Sequence, residues 1–126
     1  LERRGYRVDS YDNIGHKKVR EIMDGYDAII VNSYIHPGLY HGGTLRIGWD
    51  NIMTFWRGYI LKHPKLVFVS FGDPYKLYDF PYLKTYVNAF SESAATQRAV
   101  VKVLLGEKPM TAKNPVSFKG FFEKEI

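Results

Sequence analysis

Four groups of residues in this sequence have types and spacings that could do chemistry. His36 and His41 flank a glycine-rich stretch, and Gly42-Gly43-Thr44 opens a long segment with an apolar stripe. Gly72-Asp73-Pro74-Tyr75 follows directly on an apolar run, and Asp50, Asp73, Asp79 and Glu92 supply carboxylates. The histidine spacing matches neither the i, i+4 helical pair of a zinc protease nor a zinc-finger pattern, so two ordinary loop histidines and no metal are expected. Backbone N–H groups at Gly42-Gly43-Thr44 could hold an anion at a helix start. The lysine and spacing of a P-loop are missing there, as are the glycines of a dinucleotide fold. The expectation is an entry loop with Thr44 as cap.

The Gly72-Asp73-Pro74-Tyr75 step has two readings. Gly72 permits a backbone conformation closed to other residues and Pro74 fixes the turn, which holds Asp73 and Tyr75 rigidly near a sheet crevice. There they could meet a ligand or a neighbouring domain. Equally, Asp73 could accept backbone N–H bonds within its own turn. Sugar hydrolysis would need two acids held about 5 to 10 Å apart around the bond, and nothing in the sequence pairs Asp50, Asp73, Asp79 or Glu92. No G-x-S-x-G elbow marks a serine nucleophile either. A complete active site within this chain is not expected.

The elements that must position these groups follow from pattern. Leu1 to Val8 reads as the end of a helix, a Gly5 cap and the start of a strand, Tyr6–Tyr11. Asn13 can cap a helix over His16–Asp24, with Val19, Ile22, Met23 and Tyr26 at helical spacing. Tyr26–Tyr34 is a second strand with a continuous apolar core, and Ile35–Gly43 is a loop. Thr44–Lys62 is the longest helix, striped by Leu45, Trp49, Ile52, Met53, Trp56 and Ile60 and stopped by His63-Pro64. Lys65–Phe71 is the third strand, Asp73–Pro81 a connection, and Thr85–Phe90 the fourth strand. Ser91 or Ser93 caps a helix bearing Ala95, Ala99, Val100, Val103 and Leu104, closed by Gly106. The tail, Glu107–Ile126, offers at most an edge strand around Pro115–Phe118.

Strands without polar alternation belong in a parallel sheet covered by helices on both faces. The fold class is therefore α/β: a three-layer α-β-α sandwich of flavodoxin-like form with a mostly parallel sheet and right-handed crossovers. One domain over residues 1–126 accommodates the whole chain.

Composition sets limits. The formal charge of +5 is dispersed, with Lys17-Lys18-Arg20 followed at once by Glu21 and Asp24, so no basic stripe points to nucleic acid. The absence of cysteine excludes a disulfide scaffold, thiolate catalysis and a cysteine zinc site. No run approaches the roughly 18 apolar residues of a membrane span. Ten tyrosines join apolar bodies to polar tips, which suits a wet groove or an interdomain face as well as a core.

Several motifs in order carry a resemblance. Asp27-Ala28-Ile29-Ile30-Val31, then Leu66-Val67-Phe68-Val69-Ser70-Phe71-Gly72-Asp73-Pro74-Tyr75, then Thr85-Tyr86-Val87-Asn88-Ala89-Phe90-Ser91 are similar to the C-terminal domain of glycoside hydrolase family 3. Gln97 with Ala99-Val100, Leu104-Leu105-Gly106-Glu107 and Asn114-Pro115-Val116-Ser117 continue the series. The branch it most resembles is the bacterial β-N-acetylglucosaminidase, or β-N-acetylhexosaminidase, type. The resemblance implies an upstream TIM-barrel catalytic domain in the same chain and a carbohydrate substrate cleaved with retention. It also implies that the nucleophilic Asp and the His-Asp acid/base pair belong to that barrel.

The expectation is thus a non-catalytic α/β domain, inactive alone and without cofactor, that acts as scaffold and as one wall of the substrate cleft. Its sugar-facing or domain-facing residues would be Asn32, Tyr34, Gly72, Asp73 and Tyr75, because they lie at the C-terminal ends of strands. A bacterial source follows from the resemblance, with either a cytoplasmic or a cell-envelope location. The competing class is a free-standing flavodoxin-like module for a small molecule or phosphate.

Overall fold

The computed structural model describes residues 1–12, 14–35, 47, 49–117 and 120. Expectations on Asn13, His36, His41, Gly42-Gly43-Thr44, Leu45 and Phe118 lie outside that set. The chain divides into two compact units, Leu1–Glu92 and Ser93–Ile126.

Among the described residues the first unit holds three strands, β1 (Ile29–Ser33), β2 (Leu66–Ser70) and β3 (Tyr86–Asn88), hydrogen-bonded in the order β1-β2-β3. Both pairings are parallel, as the unbroken apolar runs predict. The fold is α/β. Val31, Phe68 and Tyr86 stand in register, as do Ser33, Ser70 and Asn88 at the ends of the strands.

Helices α1 (His16–Ile22) and α2 (Trp49–Gly58) pack on the face that carries Leu66 and Phe68. From α1, Val19 joins Ile60 and Leu66 in one buried cluster, with Ile29, Val31 and Phe55 against it. Phe68 and Phe80 form the second cluster with Ile47. The rings of Phe55 and Phe80 lie 4.7 Å apart, centroid to centroid, and Phe68 lies 6.0 Å from Phe80. Phe68 also stacks on Tyr86, its in-register neighbour, at 5.6 Å and 12°. The connection from β2 to β3 has a single 3-10 turn, Tyr75–Tyr78, instead of an α-helix. Phe80 supplies the apolar cover there that a crossover helix would otherwise provide.

Three sequence expectations change. Residues 6–11 form no strand, although Tyr6 and Val8 alternate with Arg7 and Asp9. Asp9 instead accepts from the Tyr26 hydroxyl at 2.9 Å, and Tyr26 lies 2.8 Å from the Tyr11 hydroxyl, so side chains hold this segment. The long helix does not run unbroken to Lys62. Tyr59 sits in the left-handed region at φ +59°, which ends α2 at Gly58, and a 3-10 turn, Ile60–Lys62, follows. Trp56 is exposed, and Phe55 takes the core position. Finally, Pro115–Ser117 is not a strand.

In the second unit, helix α3 (Ala94–Leu104) has both of its predicted ends. Ser93 is the N-cap, its Oγ accepting from the Thr96 N–H at 3.2 Å. Gly106 turns left-handed at φ +70°, donating to Val103, while Glu107 donates to Lys102 at 2.8 Å. This paired closure satisfies the last carbonyls of the helix.

A candidate binding cleft at the strand ends

All three strands stop at the same level, and the chain leaving each contributes to one open cleft of about 450 Å3. Tyr34 and Ile35 come from β1, Phe71, Gly72 and Asp73 from β2, and Phe90, Ser91 and Glu92 from β3. The crevice beyond the carboxyl ends of parallel strands is where open α/β sheets place ligands.

The β1 and β2 contributions are locked together. Phe71 N–H donates to Ser33 O at 2.9 Å, which extends the ladder one residue past the strands. A Cβ on Gly72 would lie 3.7 Å from Cδ2 of Tyr34, so the tyrosine ring packs on the bare glycine backbone. Asp73 then closes its own turn, with Oδ1 accepting from the Tyr75 N–H at 2.9 Å. Its Oδ2 accepts from the ammonium of Lys76, which is 0% exposed. The Ser70 hydroxyl donates to Asp73 O at 2.6 Å, and the Tyr86 hydroxyl donates to Pro74 O at 3.1 Å. Burial raises the Tyr86 phenol to about 12; the Ser70 hydrogen bond opposes that shift, and the charges of Asp73 and Asp79 add to it.

The β3 contribution bends sharply. Ala89 N–H still bonds Ser70 O at 2.8 Å, but Phe90 adopts φ +56°, a left-handed conformation that a bulky side chain occupies at a cost of about 1–3 kcal/mol. Phe90 is 40% exposed and Tyr34 43%, and both line the cleft. The Tyr34 hydroxyl is held above its usual acidity range, first by desolvation and then by the charge and hydrogen bond of Glu92. One atom is left over: the buried Oδ1 of Asn88, in register with Ser70, has no partner among the described residues.

Among the five residues proposed from sequence, Tyr34, Gly72 and Asp73 line this cleft. Asn32 is exposed on β1, in register with Val69 and on the face opposite Ser33, away from the lining. Tyr75 begins the 3-10 turn, where its N–H serves Asp73, and it too lies outside the lining. Sequence reasoning missed Phe90, because an aromatic residue gives no sign of a positive φ. It counted Glu92 among the available acids without a reason to bring it near Asp73. Lys76 had a usable signal in its i, i+3 spacing from Asp73.

Chemically, the cleft offers aromatic faces and oxygen acceptors. Asp73 and Glu92 share it, but Asp73 is neutralised by Lys76 and held in its own turn. That arrangement suits binding better than proton transfer.

Comparison with known proteins adds a chemical context. Over 50 residues, 40% of this chain, the sequence is 36% identical to the β-N-acetylglucosaminidase/β-glucosidase of Cellulomonas fimi. That stretch resembles part of a glycosidase. The match spans 9% of the relative's length. No family model matches the chain, and no solved structure matches it. Among the described residues, no helix is long and apolar enough to cross a membrane.

Proposed function

We propose that this chain is the non-catalytic C-terminal α/β domain of a family 3 glycoside hydrolase acting on terminal β-linked N-acetylhexosamine. In that role it is a scaffold for an upstream TIM-barrel domain and forms one wall of the substrate cleft. The observation that carries the reading is the 36% identity over 50 residues to a protein named for β-N-acetylglucosaminidase and β-glucosidase activity. The motif order from Asp27 to Ser117 and the parallel α/β sheet support it. The state of Asp73 supports the absence of catalysis here: a carboxylate paired with a buried ammonium and bonded to its own turn is poorly placed to exchange protons.

The test is an aryl β-N-acetylglucosaminide assay on this chain alone and on the chain joined to its upstream region. Silence from the first and turnover from the second is the expected pair. Hydrolysis by the chain alone would refute the non-catalytic assignment, and an inactive joined protein that is folded would refute the glycosidase assignment.

A further inference from the structure

The cleft at the strand ends has a chemical character at odds with the rest of the molecule. The chain as a whole carries a formal charge of +5, yet the described lining has two carboxylates, Asp73 and Glu92, and no Lys, Arg or His. Lys76 is fully buried and turned to Asp73. With Asp73 neutralised by Lys76, the negative charge of the described lining comes from Glu92; the lining disfavours phosphates and other anions and accepts hydrogen bonds from a ligand rich in hydroxyl groups. Its volume of about 450 Å3 falls within the roughly 300–1,000 Å3 of small-molecule pockets.

Phe90 sharpens the point. Backbone strain is normally tolerated when the side chain gains buried contacts, but Phe90 remains 40% exposed and lines the cleft. The bend places Phe90 in the same cleft lining as Tyr34 and outside the buried core. Aromatic faces carry partial negative charge and attract the polarised C–H face of a sugar ring, while acceptors at the rim take its hydroxyl protons.

We propose that this cleft is itself a binding site for a neutral hexopyranoside, which stacks on Phe90 and Tyr34 and donates a hydroxyl hydrogen bond to Glu92. The choice of a sugar as ligand rests on the glycosidase reading above; the site's geometry and charge do not. The site would hold saccharide without the barrel domain, and so supply binding energy from a part of the substrate remote from the bond that breaks.

The experiment titrates the 126-residue chain with N,N′-diacetylchitobiose and with cellobiose, following backbone amide signals by NMR. Saturable shifts centred on Tyr34, Gly72 and Phe90–Glu92 are expected with at least one of the two sugars. Phe90→Gly suits the left-handed backbone, so it should keep the fold and its thermal midpoint while weakening binding by about tenfold or more. Glu92→Gln should weaken it by about threefold. The proposal is overturned by any of three results: no saturable shift with either sugar, unchanged affinity in Phe90→Gly, or tighter binding of inorganic phosphate or of a simple amine than of sugar. Sugar binding by a chain whose joined form is folded yet hydrolyses nothing would sink the glycosidase reading and leave this site standing. Turnover by the joined form with no binding here would do the reverse.

Discussion

The ammonium of Lys76 is fully buried and donates to Asp73, whose other carboxylate oxygen accepts the Tyr75 N–H. The pair sits directly under the cleft, at the end of the central strand. A buried charge without its partner is among the most damaging defects a fold can carry. Asp73→Ala should therefore cost about 3–5 kcal/mol, read from denaturant midpoints, because it strands the lysine. The double change Asp73→Ala with Lys76→Met should recover a large part of that loss. A single-variant effect under about 1 kcal/mol would mean that the pair behaves like a surface ion pair.

Phe80, in the connection between β2 and β3, packs against Phe68 of β2 and Phe55 of α2 and takes the place of a crossover helix. Phe80 is 1% exposed, so Phe80→Ala should lower stability by about 3–5 kcal/mol. Tyr82, two residues on and 84% exposed, is the contrast: Tyr82→Ala should stay within about 0.5 kcal/mol of the parent. Urea unfolding of the two variants at matched slope checks the difference. Equal effects would show that the connection is not anchored through Phe80.

How much of this was legible beforehand divides along physical lines. Strands β1 and β2 stood out because parallel strands in a covered sheet are written as apolar runs, here Ile29–Val31 and Leu66–Val69. The caps of α3 were equally plain, since Ser93 and Gly106 are local signals. The alternation at Tyr6–Tyr11 misled because a period of two indicates one buried face and says nothing of whether a neighbouring strand exists to bond with. Tyr59 and Phe90 were invisible for a different reason. Nothing in a tyrosine or phenylalanine marks a left-handed backbone, which tertiary contacts impose. The same property hid the cleft: Phe90 and Glu92 reach it because of a bend that the sequence does not encode locally.

The ends of α3 offer a separate check within residues 93–126. Ser93→Ala removes the acceptor for the Thr96 N–H and should cost about 1 kcal/mol. Gly106→Ala puts a Cβ on a backbone at φ +70°, and should cost a similar amount, about 1 kcal/mol. Apart from its chain neighbours, no atom of the described residues stands within 4 Å of that new Cβ, so the penalty would be conformational and not a clash. Thermal or denaturant midpoints of the two variants measure this, and Gly106→Asn, which tolerates the left-handed region, should fall between Gly106→Ala and the parent. An unchanged midpoint in Gly106→Ala would indicate that the helix end frays at little cost.

The Tyr86 phenol links folding stability to alkaline pH. Burial raises it from 10.0 to about 12 in the folded chain. Below pH 10 it is protonated in both the folded and unfolded states and contributes no pH dependence. Between pH 10 and about 12 the unfolded chain loses this proton while the folded chain keeps it, so unfolding is favoured progressively. Because the phenol is only partly buried, solvent screening reduces the corresponding loss to about 1 kcal/mol across that window. Tyr86→Phe removes the titration but also the hydroxyl that donates to Pro74 O, so it should be less stable at pH 8 by about 1 kcal/mol and steadily lose that disadvantage toward pH 12. Other tyrosines and lysines titrate in both proteins, so the difference between them isolates Tyr86. Denaturant midpoints at intervals from pH 8 to 12 provide the measurement. Parallel curves for the parent and Tyr86→Phe would mean that the phenol is no harder to ionise in the folded chain than in the unfolded one.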